Sequence, residues 1–283
     1  MRTNRLVRVL SFATLAGLAF AVAAIAAEPP VVLQDPAGDD NGPGTYAYPN
    51  NEVYKRGSFD LRKVEIIDKD TTVEFRVTLG ATIEDPWDSK SWDGNGFSLQ
   101  FVQIYIDIDH QKGSGYTGVL PGLGTAKFAD DEAWDKVVLL SPQGRTRLSA
   151  EVRGKAGNMR GGVVLPSTTR ANGKTLVASV KKSELGTPSK TWGYQVIVQS
   201  NEGFPDKGDL LTRKVNETKG DHRFGGGSDY DCDPQVLDIL AGQAKGEKSE
   251  AADQHKTLAW SCAGEKPGKV AHLPMIYAAP AAP

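Results

Sequence analysis

The amino-acid sequence predicts an all-β protein, folded as a single antiparallel β-sandwich with long loops and a short C-terminal helix. Glycine accounts for 31 of the 283 residues, and Gly-rich turns between short apolar runs are typical of all-β folds. Val73, Phe75, Val77 and Leu79 alternate with polar residues, which is the period of a strand with one buried face. Helical patterns do not recur between the predicted strands, and this argues against repeated βαβ units.

The first 27 residues have the pattern of a secretory signal peptide. Arg2, Arg5 and Arg8 precede an almost wholly apolar run over residues 9–27, which contains the A-x-A cleavage pattern Ala24-Ile25-Ala26. An uncleaved membrane anchor is the alternative, because the run approaches spanning length. Its small, Ala-rich end favours cleavage. We therefore expect a signal peptide over residues 1–26, a folded domain over 27–277, a disordered tail over 278–283, and a periplasmic or extracellular protein without stable membrane insertion.

The strands are predicted from alternation and from apolar runs. A short strand from Val31 leads into a turn-rich loop that continues to residue 58. The run over residues 97–108 is apolar on both faces in its middle, which suits a central strand covered on both sides. Lys69-Asp70 is predicted as a hairpin turn. After the first loop, the predicted strands are 59–68, 73–79, 97–108, 136–140, 146–153, 174–181 and 192–200.

The C-terminal part of the sequence has a different pattern. Asp233 as N-cap and Pro234 at the first helical position predict a short helix that ends at Ala241. Residues 242–257 are polar and rich in Ala, Lys and Glu, which predicts an exposed helical excursion.

The chain has two cysteines, Cys232 and Cys262. An even pair in an exported chain favours one disulfide, and two unpaired buried thiols are the alternative. The bridge would connect the predicted helix to a final strand near residues 270–277. The two cysteines lack the C-x-x-C spacing of a zinc site.

Charge and motifs argue against several function classes. The formal net charge is −2 and no basic stripe occurs, so a duplex nucleic-acid partner is not expected. Residues 113–118 match G-x-G-x-x-G, but Pro121 and Gly122 follow and prevent the helix that a nucleotide site needs. H-E-x-x-H and G-x-S-x-G motifs are missing. We expect no catalytic activity; a glycosidase pair of carboxylates is the alternative.

A turn rich in Asp, Gly and Pro predicts a calcium site. Asp35, Asp39 and Asp40 lie close together there, and hard carboxylate oxygens crowded into a turn repel one another unless a cation or solvent screens them. A solvated acidic turn is the alternative. Two other acidic runs, Asp107-x-Asp109 and Asp229-x-Asp231-x-Asp233, lack the rest of an EF-hand.

Two tryptophans in one polar loop predict a saccharide site. Trp87 and Trp92 lie in this loop together with Asp88, Asp93 and Asn95. An indole face can stack on the C–H face of a pyranose, while carboxylate and amide groups bind the hydroxyls. The alternative is that one or both rings cap the end of the sandwich. Two further tryptophans, Trp134 and Trp192, lie in strand-like contexts and are predicted to be core.

The chain resembles the C-terminal domain of glucodextranase, within the DOMON-like and family-9 carbohydrate-binding-module group of β-sandwiches. The first matching stretch is the most specific, and the resemblance covers nearly the whole chain after residue 30. The matching stretches are D-P-A-G-D-D-N-G-P-G at 35–44, Y-A-Y-P at 46–49, G-S-F-D-L at 57–61, D-P-W at 85–87, S-L-Q at 98–100, V-Q-I-Y-I-D at 102–107, L-P-G at 120–122 and D-P-Q-V-L-D-I-L at 233–240.

The resemblance implies an exported, non-catalytic module that binds glucan-type or cell-surface saccharides. Such a domain would associate with glucan-active enzymes or with the cell surface, and related sandwiches carry structural calcium. A cell-surface structural or partner-binding module without sugar binding is the first alternative. A haem-binding electron carrier is the second, because distant relatives bind haem; its axial ligands would come from Met159, Met275, His222 and His272.

Overall fold

The computed structural model describes residues 29–242 and 248–278, and for residues 248 and 249 it describes the backbone alone. The strands in these ranges are β1 (Val31–Gln34), β2 (Leu61–Asp68), β3 (Thr72–Leu79), β4 (Gln100–Asp107), β5 (Lys127–Phe128), β6 (Lys136–Leu140), β7 (Val163–Val164), β8 (Thr168–Asn172), β9 (Thr175–Lys181), β10 (Gly193–Ser200), β11 (Asp238–Ile239), β12 (Cys262–Ala263), β13 (Lys266–Pro267), β14 (His272–Leu273) and β15 (Ile276–Tyr277). The α-helices are α1 (Arg145–Lys155), α2 (Lys182–Leu185) and α3 (Lys248–Thr257), and 3₁₀ turns cover Ser89–Trp92 and Gly157–Gly162.

Two sheets form the sandwich. The five-stranded sheet has the order β1-β2-β3-β9-β8, and every neighbouring pair in it is antiparallel. The six-stranded sheet has the order β11-β10-β4-β6-β7, and β15 also pairs with β10. Short parallel pairings occur between β6 and β7 and between β5 and β14. The prediction of an all-β, largely antiparallel sandwich is confirmed.

The core lies on both faces of the six-stranded sheet. Between the sheets, the alternating apolar residues of β3 pack against one face of β4, and this set is the inner core. The opposite face of β4 carries Phe101 and Tyr105, which pack with Leu148 and Val152 of α1 in a second cluster, the outer core. All eight residues of β4 are buried, so the predicted central strand is confirmed. Trp134 and Trp192 are buried, also as expected.

One predicted strand, over residues 146–153, is instead the helix α1. Its buried residues are Leu148 and Val152, whereas Ala150 between them is exposed, which is the period of a helix because a strand would bury all three on one face. Glu151 forms an i,i+4 ion pair with Lys155 at 2.7 Å, which supports the helix further. The prediction was wrong because a short apolar alternation is ambiguous between the two periods.

The predicted helix over residues 234–241 is also wrong. Gln235 has a φ of 58°, outside the right-handed helical region. The backbone amide of Leu237 donates to the Val198 carbonyl at 3.0 Å, and that of Leu240 donates to the Val196 carbonyl at 3.2 Å. The segment therefore adds to the edge of the six-stranded sheet as β11. Asp233 accepts a hydrogen bond from the Ser228 amide at 3.1 Å and does not cap a helix.

Of the predicted exposed helical excursion over 242–257, residues 248–257 are helical, but one face of this helix is buried. Helix α3 packs against the loop after β1, because Gln254 is fully buried there. Its Nε2 donates to the Asp39 carbonyl at 2.6 Å, and its Oε1 accepts from the Ile239 amide at 2.9 Å. The helix thus connects the first loop to β11.

The predicted disulfide is present. Cys232 and Cys262 are bonded, with their Cα atoms 5.5 Å apart. The bridge joins the segment before β11 to the hairpin of β12 and β13, rather than a helix to a long final strand. Residues 270–277 contain only the two short strands β14 and β15.

Two expectations concern residues outside the described ranges. The signal peptide over 1–26 lies wholly outside, and of the tail over 278–283 only Ala278 is described. Within residues 29–242 and 248–278, no helix has the length and apolar character needed to cross a membrane.

Candidate functional site

Three long loops meet at one end of the sandwich, namely those that follow β1, β3 and β10. Strand register places them there: Leu61 pairs with Leu79, and Gln100 pairs with Ser200. The two sheets are tied together at this end, because the Leu61 amide donates to Asp238 Oδ2 at 2.6 Å. The predicted calcium-binding and saccharide-binding residues lie on the first two of these loops.

Three buried carboxylates, Asp35, Asp39 and Asp238, form the acidic cluster. One oxygen from each residue lies within 4.8 Å of the others. Both carboxylate oxygens of Asp35 and the Oδ1 of Asp39 are buried without a hydrogen-bond partner among the described residues. Asp238 instead accepts from the Leu61 and Ile239 amides, at 2.6 and 2.9 Å. Buried polar groups left without a partner are costly, so the cluster needs a proton or a cation.

The electrostatics of the cluster lead to the same conclusion. Burial, followed by the charges of Asp39, Glu250 and Asp60, raises the pKa of Asp35 well above its usual value. Burial is also the main reason why the pKa of Asp39 rises to about 7. The pKa of Asp238 is raised by burial and then by Asp35 and Asp39. Each shift disfavours the charged carboxylate, and a bound cation would reverse this preference.

The sequence prediction covered part of this cluster. Asp35 and Asp39 are brought together as expected, whereas Asp40 accepts a hydrogen bond from the Tyr48 hydroxyl. Asp238 was missed because it was assigned to a helix. The available signal was a single carboxylate within the otherwise apolar residues 236–241, since a charged residue in such a run is buried only for a reason.

The donor set of the acidic cluster fits a hard cation. Calcium takes oxygen ligands at about 2.3–2.6 Å, so two ligands of one ion lie up to about 5 Å apart, comparable to the 4.8 Å spread of the three carboxylates. The ligands would come from the first loop and from β11, which belong to different parts of the chain. A cation here would therefore cross-link the two sheets at this end.

The loop between β3 and β4, here called the Trp87 loop, is held by one aspartate. Asp85 accepts hydrogen bonds from the Ser89 amide at 3.0 Å, from the Ser89 hydroxyl at 2.7 Å and from the Ser98 hydroxyl. These bonds fix the 3₁₀ turn over Ser89–Trp92. The ring of Trp92 is half-buried, and its Nε1 donates to the Trp87 carbonyl at 3.2 Å. The loop is thus ordered around Trp87.

The other predicted saccharide-binding residues take two different roles. Asp88 and Asp93 are exposed and flank the 3₁₀ turn, with φ values of 46° and 58°. Asn95 anchors the loop, because its Nδ2 donates to the carbonyls of Ser141 and Gln143 at 2.8 and 3.0 Å. The structure therefore places Trp87, Asp88 and Asp93 at the surface and uses the amide nitrogen of Asn95 internally.

Trp87 is 40% exposed and contacts a histidine that the sequence analysis had considered only as a haem ligand. Its ring meets His222 edge to face, with centroids 5.5 Å apart. A row of aromatic contacts then leads toward the acidic cluster, through His222, Tyr54, Phe224 and Tyr48. The two candidate sites therefore share one end of the sandwich and one supporting aromatic layer.

A cleft adjoins Trp87 on the side of His222. Its volume is about 290 Å³, close to the lower end of small-molecule sites. We call it the His222 cleft. Its lining includes Glu202, Phe204, Arg213 and Arg223 besides His222. The cleft was not predictable from a motif, because the loop after β10 carries none, although an isolated Phe204 next to Gly203 and Pro205 indicates an exposed ring.

A second group of acids also has one carboxylate oxygen from each residue within 4.8 Å of the others, namely Asp107, Asp109 and Asp135. These carboxylates have hydrogen-bond donors, including the Tyr277 hydroxyl to Asp107 at 2.5 Å and the Ile108 amide to Asp135 at 2.8 Å. The group therefore differs from the acidic cluster, where the oxygens lack partners.

The residues considered for haem ligation lie in different environments. Met159 and Met275 pack in the outer core. His222 is exposed beside Trp87, and His272 is exposed on β14.

A comparison with protein families covers both candidate sites and the cleft. The model of the C-terminal binding module, SLH-like, of glucodextranase matches residues 31–274. This chain belongs to that family. The resemblance found in the sequence motifs is thereby confirmed. No curated protein matches the chain. The matched range of this glucodextranase-type module contains the acidic cluster, the Trp87 loop and the His222 cleft, and the family description is that of a binding module rather than of a catalytic domain.

Proposed function

We propose that this protein is an exported, non-catalytic carbohydrate-binding module that binds glucan-type or cell-surface saccharides through the Trp87 loop. The observation that carries the proposal is the 40% exposed ring of Trp87, held on an ordered loop in a member of a binding-module family. Loops at one end of a β-sandwich commonly carry function, and an indole face suits a pyranose. The Cys232–Cys262 bridge supports export, because disulfides persist in oxidising compartments.

Calorimetric titration of the mature protein with a panel of glucans tests this proposal. Affinity should be about 10–1000 μM, because small saccharides have few heavy atoms and must desolvate their hydroxyls. Trp87→Ala should weaken binding by about 1–3 kcal/mol if the ring stacks on the sugar, with an unchanged melting temperature. Trp134→Ala is the control for a core tryptophan and should lower stability by about 3–5 kcal/mol. Loss of stability in Trp87→Ala, with no saccharide bound by the wild type, would contradict the proposal.

We further propose that the acidic cluster holds a structural calcium ion with Asp35, Asp39 and Asp238 as ligands. The unpartnered buried oxygens of Asp35 and Asp39 support this assignment. Its role would be to fasten the first loop to β11 beneath the saccharide site. Calcium-dependent thermal stability is the test.

The second candidate function is attachment to a cell surface or to a partner protein without sugar binding. It is favoured by the SLH-like description of the family. Sedimentation of the mature protein with purified cell walls, with and without competing soluble glucan, separates the two functions. Co-sedimentation that soluble glucan does not reduce would favour attachment, whereas competition would favour saccharide binding. Binding to glucan-active enzymes is a proposal of the same kind and calls for direct pull-down with such enzymes.

A further inference from the structure

We infer that the saccharide path of this module continues from Trp87 across His222 into the His222 cleft and ends on Phe204, so that its ligand is a neutral oligosaccharide rather than a single sugar. This inference rests on the proposed function. It assigns a ligand length, a ligand charge and an additional contact residue to the same end of the sandwich.

Exposed aromatic rings concentrate around this cleft. In the described part of the chain, four large hydrophobic residues are exposed, namely Val32, Trp87, Phe204 and Tyr230. Phe204 lines the cleft, and Trp87 touches its His222 wall. Tyr230 precedes Asp231, whose carboxylate accepts a hydrogen bond from cleft residue Lys214 at 2.6 Å. Exposed apolar groups gathered in one place and surrounded by polar residues mark binding sites.

Phe204 is held in position although it is almost fully exposed. Its ring is 90% exposed, while its backbone amide donates to Glu202 Oε1 at 3.0 Å. The guanidinium of Arg147 lies 5.9 Å from the ring centroid and also donates to the Gly203 carbonyl. A ring with a fixed backbone and an open face contributes contact area at low cost in conformational entropy. Phe204 is therefore suited to stack on a ligand.

The polar wall of the cleft is built from paired groups. Arg213 Nη1 lies 2.9 Å from Glu202 Oε2 and donates to the His222 carbonyl at 2.7 Å. Lys214 contacts Asp206 at 2.7 Å and Asp231 at 2.6 Å. Such fixed donors and acceptors suit the hydroxyl groups of a sugar.

The charge balance of the cleft indicates a neutral ligand. Its lining carries three cations and two carboxylates, and Asp231 on Lys214 supplies a third carboxylate. An acidic saccharide would find no excess of positive charge here, because the three cations are balanced in number by three carboxylates. We therefore expect a preference for neutral over uronic-acid oligosaccharides.

The test is a titration of the mature protein with saccharides of different length and charge. The probes are methyl α-glucoside, the trisaccharides isomaltotriose, maltotriose and laminaritriose, and trigalacturonic acid. The wild type should bind at least one neutral trisaccharide more tightly than methyl α-glucoside or trigalacturonic acid. Phe204→Ala should weaken trisaccharide binding about two- to tenfold, the usual size of one aromatic contact, and leave methyl α-glucoside binding unchanged.

Two controls make the outcomes distinguishable. Val32→Ala removes an exposed apolar side chain on β1, away from the cleft, and should change no affinity. Phe204→Ala should keep the wild-type melting temperature because its ring is exposed. If Trp87→Ala weakens trisaccharide binding but Phe204→Ala does not, the inference fails while the proposed function stands. Equal binding of the glucoside and the trisaccharides, or tighter binding of trigalacturonic acid, also overturns it. If the wild type binds none of the probes, the proposed function fails with it.

Discussion

Removal of calcium should lower the melting temperature of the wild-type protein, whereas it should have little effect on a variant that lacks one of the proposed ligands. The perturbation is Asp35→Asn, chosen because neither carboxylate oxygen of Asp35 has a hydrogen-bond partner in the described structure. The variant therefore loses a proposed calcium ligand but no hydrogen bond of the Asp35 carboxylate.

The expected magnitudes follow from mass action and from the spacing of the charges. At a free calcium concentration 100 times the dissociation constant, a ligand specific for the folded state contributes about 2.7 kcal/mol. For a domain of this size that corresponds to about 5–10 °C in melting temperature. Without calcium, two full charges within 4.8 Å of each other repel by at least about 3.5 kcal/mol at an effective dielectric constant of 20. Protonation relieves part of this, since the pKa of Asp39 is raised to about 7.

The assay is thermal unfolding followed by circular dichroism at pH 8, in calcium and in EDTA. In calcium, Asp35→Asn should melt below the wild type. In EDTA it should melt at or above the wild type, because one buried repelling charge is gone. Asp40→Asn is the control, since Asp40 is bonded to the Tyr48 hydroxyl instead, and it should keep the full calcium shift. An unchanged wild-type melting temperature in EDTA, or an equal loss in Asp35→Asn under both conditions, would refute the reasoning.

Three further predictions concern the supports of this end of the molecule. Reduction of the Cys232–Cys262 bridge, which spans 30 residues, should add two protons to the intact mass and lower stability by about 3–4 kcal/mol; two free thiols in the native protein would contradict the structure. Burial raises the pKa of Asp233 to about 6, so its contribution to stability should be full below about pH 4 and lost as pH rises through about 6. Asp233→Asn should lack this dependence when urea unfolding of the two proteins is compared at each pH, and parallel curves would contradict the assignment. Gln254→Ala should cost about 1–3 kcal/mol by removing the buried hydrogen bonds that its side chain forms with the Ile239 amide and the Asp39 carbonyl, whereas Lys256→Ala, on the exposed side of α3, should have little effect on urea unfolding.

Much of the sheet structure was predictable because local pattern and burial agree. The alternation at residues 73–79 corresponds to β3, which runs from Thr72 to Leu79, and the predicted strand over 136–140 coincides with β6. The long apolar run before Asp107 became the central strand because two layers cover it. The prediction for residues 234–241 was wrong because local pattern and tertiary packing disagree there. Their capping signals favour a helix locally, but the free edge of β10 offered backbone partners that a helix could not use.

The sequence by itself determined the sandwich class, the cysteine pair, the acidic turn and the tryptophan loop, since each follows from composition or from a pattern along the chain. Only the tertiary structure decided which of these residues meet. Asp238 joins Asp35 across 203 positions because β11 docks on β10 beside the start of β2. His222 contacts Trp87 and lines the same cleft as Phe204, because the loops that follow β1, β3 and β10 meet at one end of the sandwich. Such contacts depend on strand register and layer packing, which one-dimensional periodicity does not encode.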